Sequence, residues 1–243
     1  MSTSWFISDL HLAPEETRIT AGFMDFLLEP QSGDDLYILG DFFNYWIGDD
    51  LQHPYIEQIK QLLRATSERG VNLYFMHGNR DFLIGQDFCN DTGCTLLEDP
   101  TLVQIGGAPA LLMHGDSLCT KDLAYMEFRA MARNPEWQNE FLSKSIEDRV
   151  AFAQQARDES KSSNSMKDEA IMDVTPEEVD KALLDANCHR MIHGHTHRPA
   201  THNWEVNGQQ LQRIVLGDWY TKGWYLKVEN NQFDLVEFDL PEA

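Results

Sequence analysis

Apolar residues along the chain gather in short runs, and each run stops abruptly at an acidic residue, a histidine or an asparagine. Trp5-Phe6-Ile7 gives way to Asp9-Leu10-His11, the run Leu36 to Leu39 to Gly40-Asp41, and the run Leu73 to Met76 to Gly78-Asn79-Arg80-Asp81. Ala110 to Met113 leads to His114-Gly115-Asp116, and Met191-Ile192 leads to Gly194-His195-Thr196-His197. Near-continuous hydrophobicity over so few residues predicts strands buried on both faces, as in a sheet covered by helices. Segments of helical character, Ile19 to Leu28 and Ile56 to Arg69, separate the first three runs, so the fold class is α/β. Open α/β sheets bind ligands in the crevice beyond their strand ends, which is where these polar residues fall. Five such endings in succession exceed what ordinary turn chemistry explains.

From Ser117 to Asn187 the pattern turns helical for far longer than a strand-to-strand crossover needs. The expected organisation is a core of residues 1–116 and 188–243 carrying a helical insert, or lid, over 117–187. The insert's last helix is marked by Thr175 as N-cap, Pro176 at the first helical position and Glu178 completing a capping box. Beyond His197, the stretches Arg213 to Leu216, Trp224 to Val228 and Phe233 to Phe238 alternate as strands, broken by turns such as Asn230-Asn231, and are assigned to a second sheet.

Composition narrows the function. Hydrophobic residues at 42% and charged residues at 24% fit a packed globular chain of 243 residues. No apolar stretch approaches the ~18 residues of a membrane span, and no signal peptide is visible at the N-terminus. Cys89, Cys94, Cys119 and Cys188 form no CxxC pair, which predicts reduced thiols and a cytoplasmic setting. A net charge of −21 disfavours nucleic acid and anionic lipid as partners, and no protein partner is evident. An anionic substrate therefore requires a local source of positive charge.

The strand-end donors supply one. Asp9, His11, Asp41, Asn79, His114, His195 and His197 are oxygen and imidazole ligands without a thiolate, a set that suits Mn, Fe or Zn. Seven ligands are too many for one ion with an open position. Two ions account for them if one carboxylate, Asp41 by its central place, is shared. Paired ions ~3.5–4 Å apart are a recurring device for in-line attack at phosphorus. Two divalent cations against Asp9 and Asp41 leave a positive crevice in an anionic protein.

The order DxH, GD, GNRD, HGD, GHTH from Asp9 to His197 resembles the calcineurin-like metallophosphoesterases. The resemblance implies a four-layer αββα sandwich, with Asp9, His11, Asp41 and His197 on one ion and Asp41, Asn79, His114 and His195 on the other. Two positions depart from the common family motifs: Asn44 stands where GDxxD has its second aspartate, and Arg80 where GNH(D/E) has histidine. A histidine there can protonate an alkoxide; an arginine cannot give up its proton at working pH. Arg80 therefore points to a leaving group that departs unprotonated. A phosphate monoester, with a second pKa of about 6, is such a group, so the bond cleaved is a pyrophosphate.

The longer strings Gly40 to Asp50, His77 to Gly85, Met113 to Asp122 and Ile192 to Ala200 narrow the resemblance. They are similar to those members of the family that act on a UDP-linked diacylated glucosamine lipid of the lipid A pathway. That similarity implies two Mn²⁺ per chain, attack at the α-phosphorus with release of UMP, and peripheral attachment to the cytoplasmic face of the inner membrane. It also implies catalytic roles for Asp41, Arg80 and His195, and substrate contacts from Asn79, Arg80, Asp122, Tyr125, Arg157, Ser160, Asn164, Lys167 and His195. Arg157, Ser160, Asn164 and Lys167 are spaced by three, four and three residues, one face of a helix.

Two acyl chains need apolar lodging, for which Phe42, Trp46, Phe82, Leu83, Phe128, Met131, Trp137, Phe141 and Phe152 are candidates, centred on Trp46, Phe82 and Phe128. His53, His77, His189, His193 and His202 are expected to be structural or surface groups, and Asp49-Asp50 a solvated loop.

Overall fold

A computed structural model describes residues 2–164 and 171–242, with side chains from 160 to 164 left undescribed. Elements in chain order are β1 (Ser4–Ile7), α1 (Thr17–Phe26), β2 (Asp35–Leu39), α2 (Pro54–Glu68), β3 (Asn72–Met76), α3 (Gln86–Thr92) and β4 (Cys94–Leu97). The hairpin β5 (Thr101–Ile105) and β6 (Ala108–Leu112) follows, then α4 (Leu123–Ala132), α5 (Pro135–Leu142), α6 (Ile146–Asn164) and α7 (Pro176–Asp185). The chain closes with β7 (Arg190–His193), β8 (Ala200–Val206), β9 (Gln209–Val215), β10 (Gly223–Glu229) and β11 (Gln232–Phe238).

Two sheets form, in the orders β11-β10-β1-β2-β3-β4 and β5-β6-β7-β9-β8. Strands β1 to β4 run parallel, as do β6, β7 and β9. Alternation along the predicted runs explains the layering, because successive side chains leave opposite faces of a strand. Trp5, Ile7, Leu36, Ile38, Leu73 and Phe75 pack outward under α1, α2 and α3. Their neighbours Phe6, Tyr37, Leu39 and Met76 point inward, against Ala110, Leu112, Ile192 and Ile214 of the second sheet. That sheet's other face, Leu111 and Met191, is covered by Val179 and Leu183 of α7. The result is the four-layer αββα sandwich.

Two expectations need correction. Only β9 of the three C-terminal strands lies in the second sheet; β10 and β11 extend the first, with β10 antiparallel to β1. Alternation fixes which residues share a face and says nothing about which edge a hairpin joins. The α7 cap also differs. Thr175 is extended and precedes Pro176 as foreseen, yet its hydroxyl makes no capping bond. Instead it accepts from the Thr120 hydroxyl at 2.9 Å, tying the start of the helix to the chain after β6.

The aspartates at 49 and 50 are structural. Asp49 accepts from the Trp46 indole at 3.0 Å and from the Gly85 and Phe88 amides, so it caps α3 and fixes the loop after β2. Asp50 pairs with Arg149 of α6. Arg149 is 2% exposed and also donates to the Ile47 carbonyl at 2.6 Å, so it ties α6 to that loop. Arg149→Met keeps the apolar stem but strands a buried carbonyl, at a cost of about 1–3 kcal/mol. A lowered unfolding midpoint, with a raised KM for any ligand held under α6, is the expected result in thermal and steady-state measurements.

Candidate functional site

The polar residues beyond the strand ends converge at one edge of the sandwich. Asp9 and His11 follow β1, Asp41 follows β2, Asn79 and Arg80 follow β3, His114 follows β6, and His195 and His197 follow β7. Among the described residues, nine other than glycine have positive φ; four are asparagines and the rest are Asp9, His11, Asp41, His195 and His197. A left-handed conformation costs an ordinary residue roughly 1–2 kcal/mol and persists where its surroundings impose it. Here the surroundings are backbone bonds between adjacent strand ends: the Asp9 amide donates to Gly40 O and the His11 amide to Asp41 O, each at 3.0 Å. The glycines permit the convergence. A Cβ on Gly40 would sit 2.5 Å from the Gly78 backbone and 2.6 Å from His114 Nδ1.

Ligand atoms of Asp9, His11 and His197 lie within 4.8 Å of one another, and so do those of Asp9, Asp41 and His114. Asn79 Oδ1 stands 3.0 Å from His114 Nε2 and 2.8 Å from His195 Nδ1. Asp9 is common to the two groups, and Asp41, in the second, also faces His11 of the first at 3.9 Å as well as His114 at 3.7 Å. All seven predicted donors are thus brought together. His11 Nδ1 is buried without a hydrogen-bond partner, a state that costs free energy unless something binds it, and Asp9 Oδ1, also buried, faces the His197 ring at 3.3 Å. Oxygen and imidazole donors with an orphaned nitrogen fit divalent cations.

Outer contacts orient the imidazoles. His114 Nδ1 lies 2.8 Å from the Leu39 carbonyl, which only accepts, so Nδ1 carries the proton and Nε2 faces the site. His197 Nδ1 pairs with Asp218 at 3.0 Å. Burial works against a charged His197, but Asp218 and Asp9 outweigh it and push its pKa up to about 10. Burial and the neighbouring His114 bring His195 down to about 4, so it is neutral. Burial raises Asp41 above the usual carboxylate range. A cation would displace the His197 proton, so uptake releases acid.

Arg80 connects the two departures from the family motifs. Its Nε is 3.4 Å from Asp41 Oδ2, and its Nη1 donates to Asn44 Oδ1 at 3.0 Å and to the Tyr220 hydroxyl at 3.3 Å. Asn44 therefore holds the guanidinium with a neutral oxygen, where an aspartate would cancel its charge.

A cavity of about 860 Å³ opens over these residues. Asn79, Arg80, Asp122, Tyr125, Arg157 and His195 line it, and its apolar wall is Trp46, Phe82, Leu83, Phe128, Met131, Trp137, Phe141 and Phe152. Phe42 is the exception: it is fully buried in the core under α1 and does not reach the cavity. Ser160 and Asn164 lie on α6 with side chains outside the described residues, as Lys167 is altogether. Of the remaining histidines, His53 caps α2, His77 bonds the Ile84 carbonyl, and His193 is fully buried.

Sequence reasoning missed several supporting carboxylates. Asp218 ends the run Ile214-Val215-Leu216 as Gly217-Asp218, the same signal that marks Asp41. Asp81 accepts from the Gly78 and Phe42 amides at 2.8 and 2.7 Å and so joins two donor loops. Asp116 accepts from the Tyr125 hydroxyl at 2.5 Å and Arg129 Nε at 2.8 Å, fastening α4 beneath the site and committing the tyrosine proton.

Beside Asp116, both Asp99 carboxyl oxygens are buried without a partner, and burial followed by repulsion from Asp116 raises this group from 3.8 to about 6. The folded chain binds that proton more tightly than the unfolded one. Its contribution to stability is therefore complete below pH ~4 and lost as pH rises through ~6. Asp99→Asn should stabilise the protein by at most about 3 kcal/mol at pH 7.5 and by nothing near pH 4; equal unfolding midpoints for both proteins at pH 7.5 would refute this.

The calcineurin-like phosphoesterase family model matches residues 3–199. A protein of Marinobacter nauticus named UDP-2,3-diacylglucosamine hydrolase is 53% identical over 231 residues, 95% of each chain. Proteins of the same name from Chromohalobacter salexigens and Stutzerimonas stutzeri are 51% and 50% identical; the first alignment covers 94% of each chain, the second 96% of this chain and 98% of the relative. The chain belongs to the calcineurin-like phosphoesterase family, alongside these relatives.

Proposed function

We propose that this protein hydrolyses the pyrophosphate bond of UDP-2,3-diacylglucosamine by attack of water at the α-phosphorus, giving UMP and 2,3-diacylglucosamine 1-phosphate, a step of lipid A biosynthesis. The observation that carries the reading is the single cavity that joins buried phosphoesterase donors to a wall of eight large apolar side chains. Polar chemistry at one end and acyl-sized lodging at the other match a nucleotide-linked lipid. The names of the relatives support the same substrate.

Asp9, His11, Asp41 and His197 would hold one divalent ion, and Asp41, Asn79, His114 and His195 the other, with Mn²⁺ the favoured metal. Such a pair supplies Lewis acidity, polarising a phosphoryl oxygen and making water acidic enough to attack at neutral pH. Arg80, charged at every working pH, neutralises charge that grows on the phosphates and has no proton to give the departing phosphate, which needs none. Neutral His195 donates its ring N–H to a phosphoryl oxygen. Arg157, with Lys167, adds positive charge from the insert, while Asp122, Tyr125, Ser160 and Asn164 orient the sugar.

The insert also presents Leu123, 72% exposed, with Met131 and Phe152 partly exposed. These apolar groups suit peripheral contact with the inner membrane's cytoplasmic face, and no helix among the described residues is long and apolar enough to cross it. Purified protein given UDP-2,3-diacylglucosamine in detergent should release UMP with Mn²⁺ and stop with a chelator. Faster turnover of p-nitrophenyl phosphate than of the lipid would instead indicate a general phosphoesterase.

A further inference from the structure

A second, smaller cavity of about 220 Å³ adjoins the large one, sharing Thr196 and Arg198 with it. Its other polar lining is Asp173, His202 and Arg213. The apolar wall of the main cavity comes from the loops after β2 and β3 and from the insert helices. This pocket is instead built on the second sheet, where Arg213 of β9 stands opposite His202 of β8.

Two donors in it are unused. Arg213 is 13% exposed, its Nη1 lies 3.8 Å from Asp173 Oδ1, beyond hydrogen-bond distance, and that nitrogen is buried without a partner. The Thr196 hydroxyl is likewise buried and unpartnered. Each leaves a desolvated group unpaired, a cost that a ligand bonding both recovers. An acceptor sits with them: Asp173 takes bonds from Arg198 Nη1 at 2.8 Å and the Val174 amide at 2.7 Å, and its carboxylate has further lone pairs.

Building on the function proposed above, we infer that this pocket receives the uracil base of the substrate. Uracil's edge presents a carbonyl, an N–H and a second carbonyl in series. Arg213 and Thr196 donate to the carbonyls, and Asp173 accepts the imide proton. Thr196 lies between His195 and His197, so a base held here is joined through its ribose to a phosphate at the donor cluster. The lipid half then extends the other way, along the apolar wall. Cytosine, with an unprotonated ring nitrogen at the central position, meets the Asp173 carboxylate lone pair to lone pair and is rejected.

The test uses the full-length protein and the probes UMP, CMP and orthophosphate, with binding read by calorimetry and hydrolysis by steady-state kinetics. UMP should bind at least tenfold more tightly than CMP. Arg213→Gln should weaken UMP about tenfold and raise KM for the UDP-lipid similarly, the loss falling on KM rather than kcat, with orthophosphate binding unchanged. Thr196→Ser, which keeps the hydroxyl, should bind UMP like the parent, and unfolding midpoints check that both variants fold. Weakening of orthophosphate and UMP alike by Arg213→Gln would make this an anion site and overturn the inference. Parent turnover of the UDP-lipid with UMP binding untouched by Arg213→Gln would overturn the uracil pocket and leave the proposed function intact. No turnover by the parent, with UMP still bound through Arg213, would overturn the function and leave the pocket standing.

Discussion

Asp41→Ala should lower turnover of the UDP-lipid by at least about a thousandfold and reduce metal content in the same preparation. A loss of ~4 kcal/mol or more is what removal of a shared carboxylate from a two-ion phosphoryl-transfer site entails. The position explains the size of the effect. Asp41 lies 3.9 Å from His11 and 3.7 Å from His114, reaching both groups as Asp9 does, and it also accepts the Arg80 amide at 2.8 Å. One substitution is therefore expected to loosen both proposed ion sites and the loop that presents Arg80. Circular dichroism and elemental analysis accompany the kinetics, and near-normal activity with near-normal metal would refute the shared carboxylate.

Arg80→Ala is the second large effect, and it separates differently. Removing a charged donor from developing phosphate charge costs about a hundred- to a thousandfold in kcat. Metal content should stay close to that of the parent, because the Arg80 guanidinium meets the donor Asp41 in an ion pair at 3.4 Å and makes its hydrogen bonds to Asn44 and Tyr220, which are not donors. Arg80→Lys should recover part of the rate, since it keeps the charge but loses the planar fork. A rate unchanged in Arg80→Ala would remove the reason for preferring a pyrophosphate over an alkyl ester.

The donors themselves were legible in the sequence because each closes a hydrophobic run, and near-continuous hydrophobicity within those runs foretold two buried faces, between which successive side chains alternate. Trp5 and Phe6, adjacent in the chain, enter different cores for that reason. Edge placement was not legible. β10 and β11 have the same pattern whichever sheet they join, and their pairing with β1 depends on contacts remote in sequence. Second-layer groups were hidden for a related reason. Asp49, Asp81 and Asp116 look like ordinary loop carboxylates, and their importance lies in the amides and guanidinium they meet only after folding. Phe42 shows the converse limit: a large apolar residue four places from the cavity-wall Trp46 has no mark distinguishing core from cavity wall.

Hydrolysis of the nucleotide-lipid is proposed to depend on a dinuclear centre formed by these seven strand-end residues. Titrating metal-stripped protein with Mn²⁺ while following UMP release tests this dependence most directly. No turnover without metal and full activity at two ions per chain are expected. Complete activity in chelator, or saturation with no manganese bound, would contradict it.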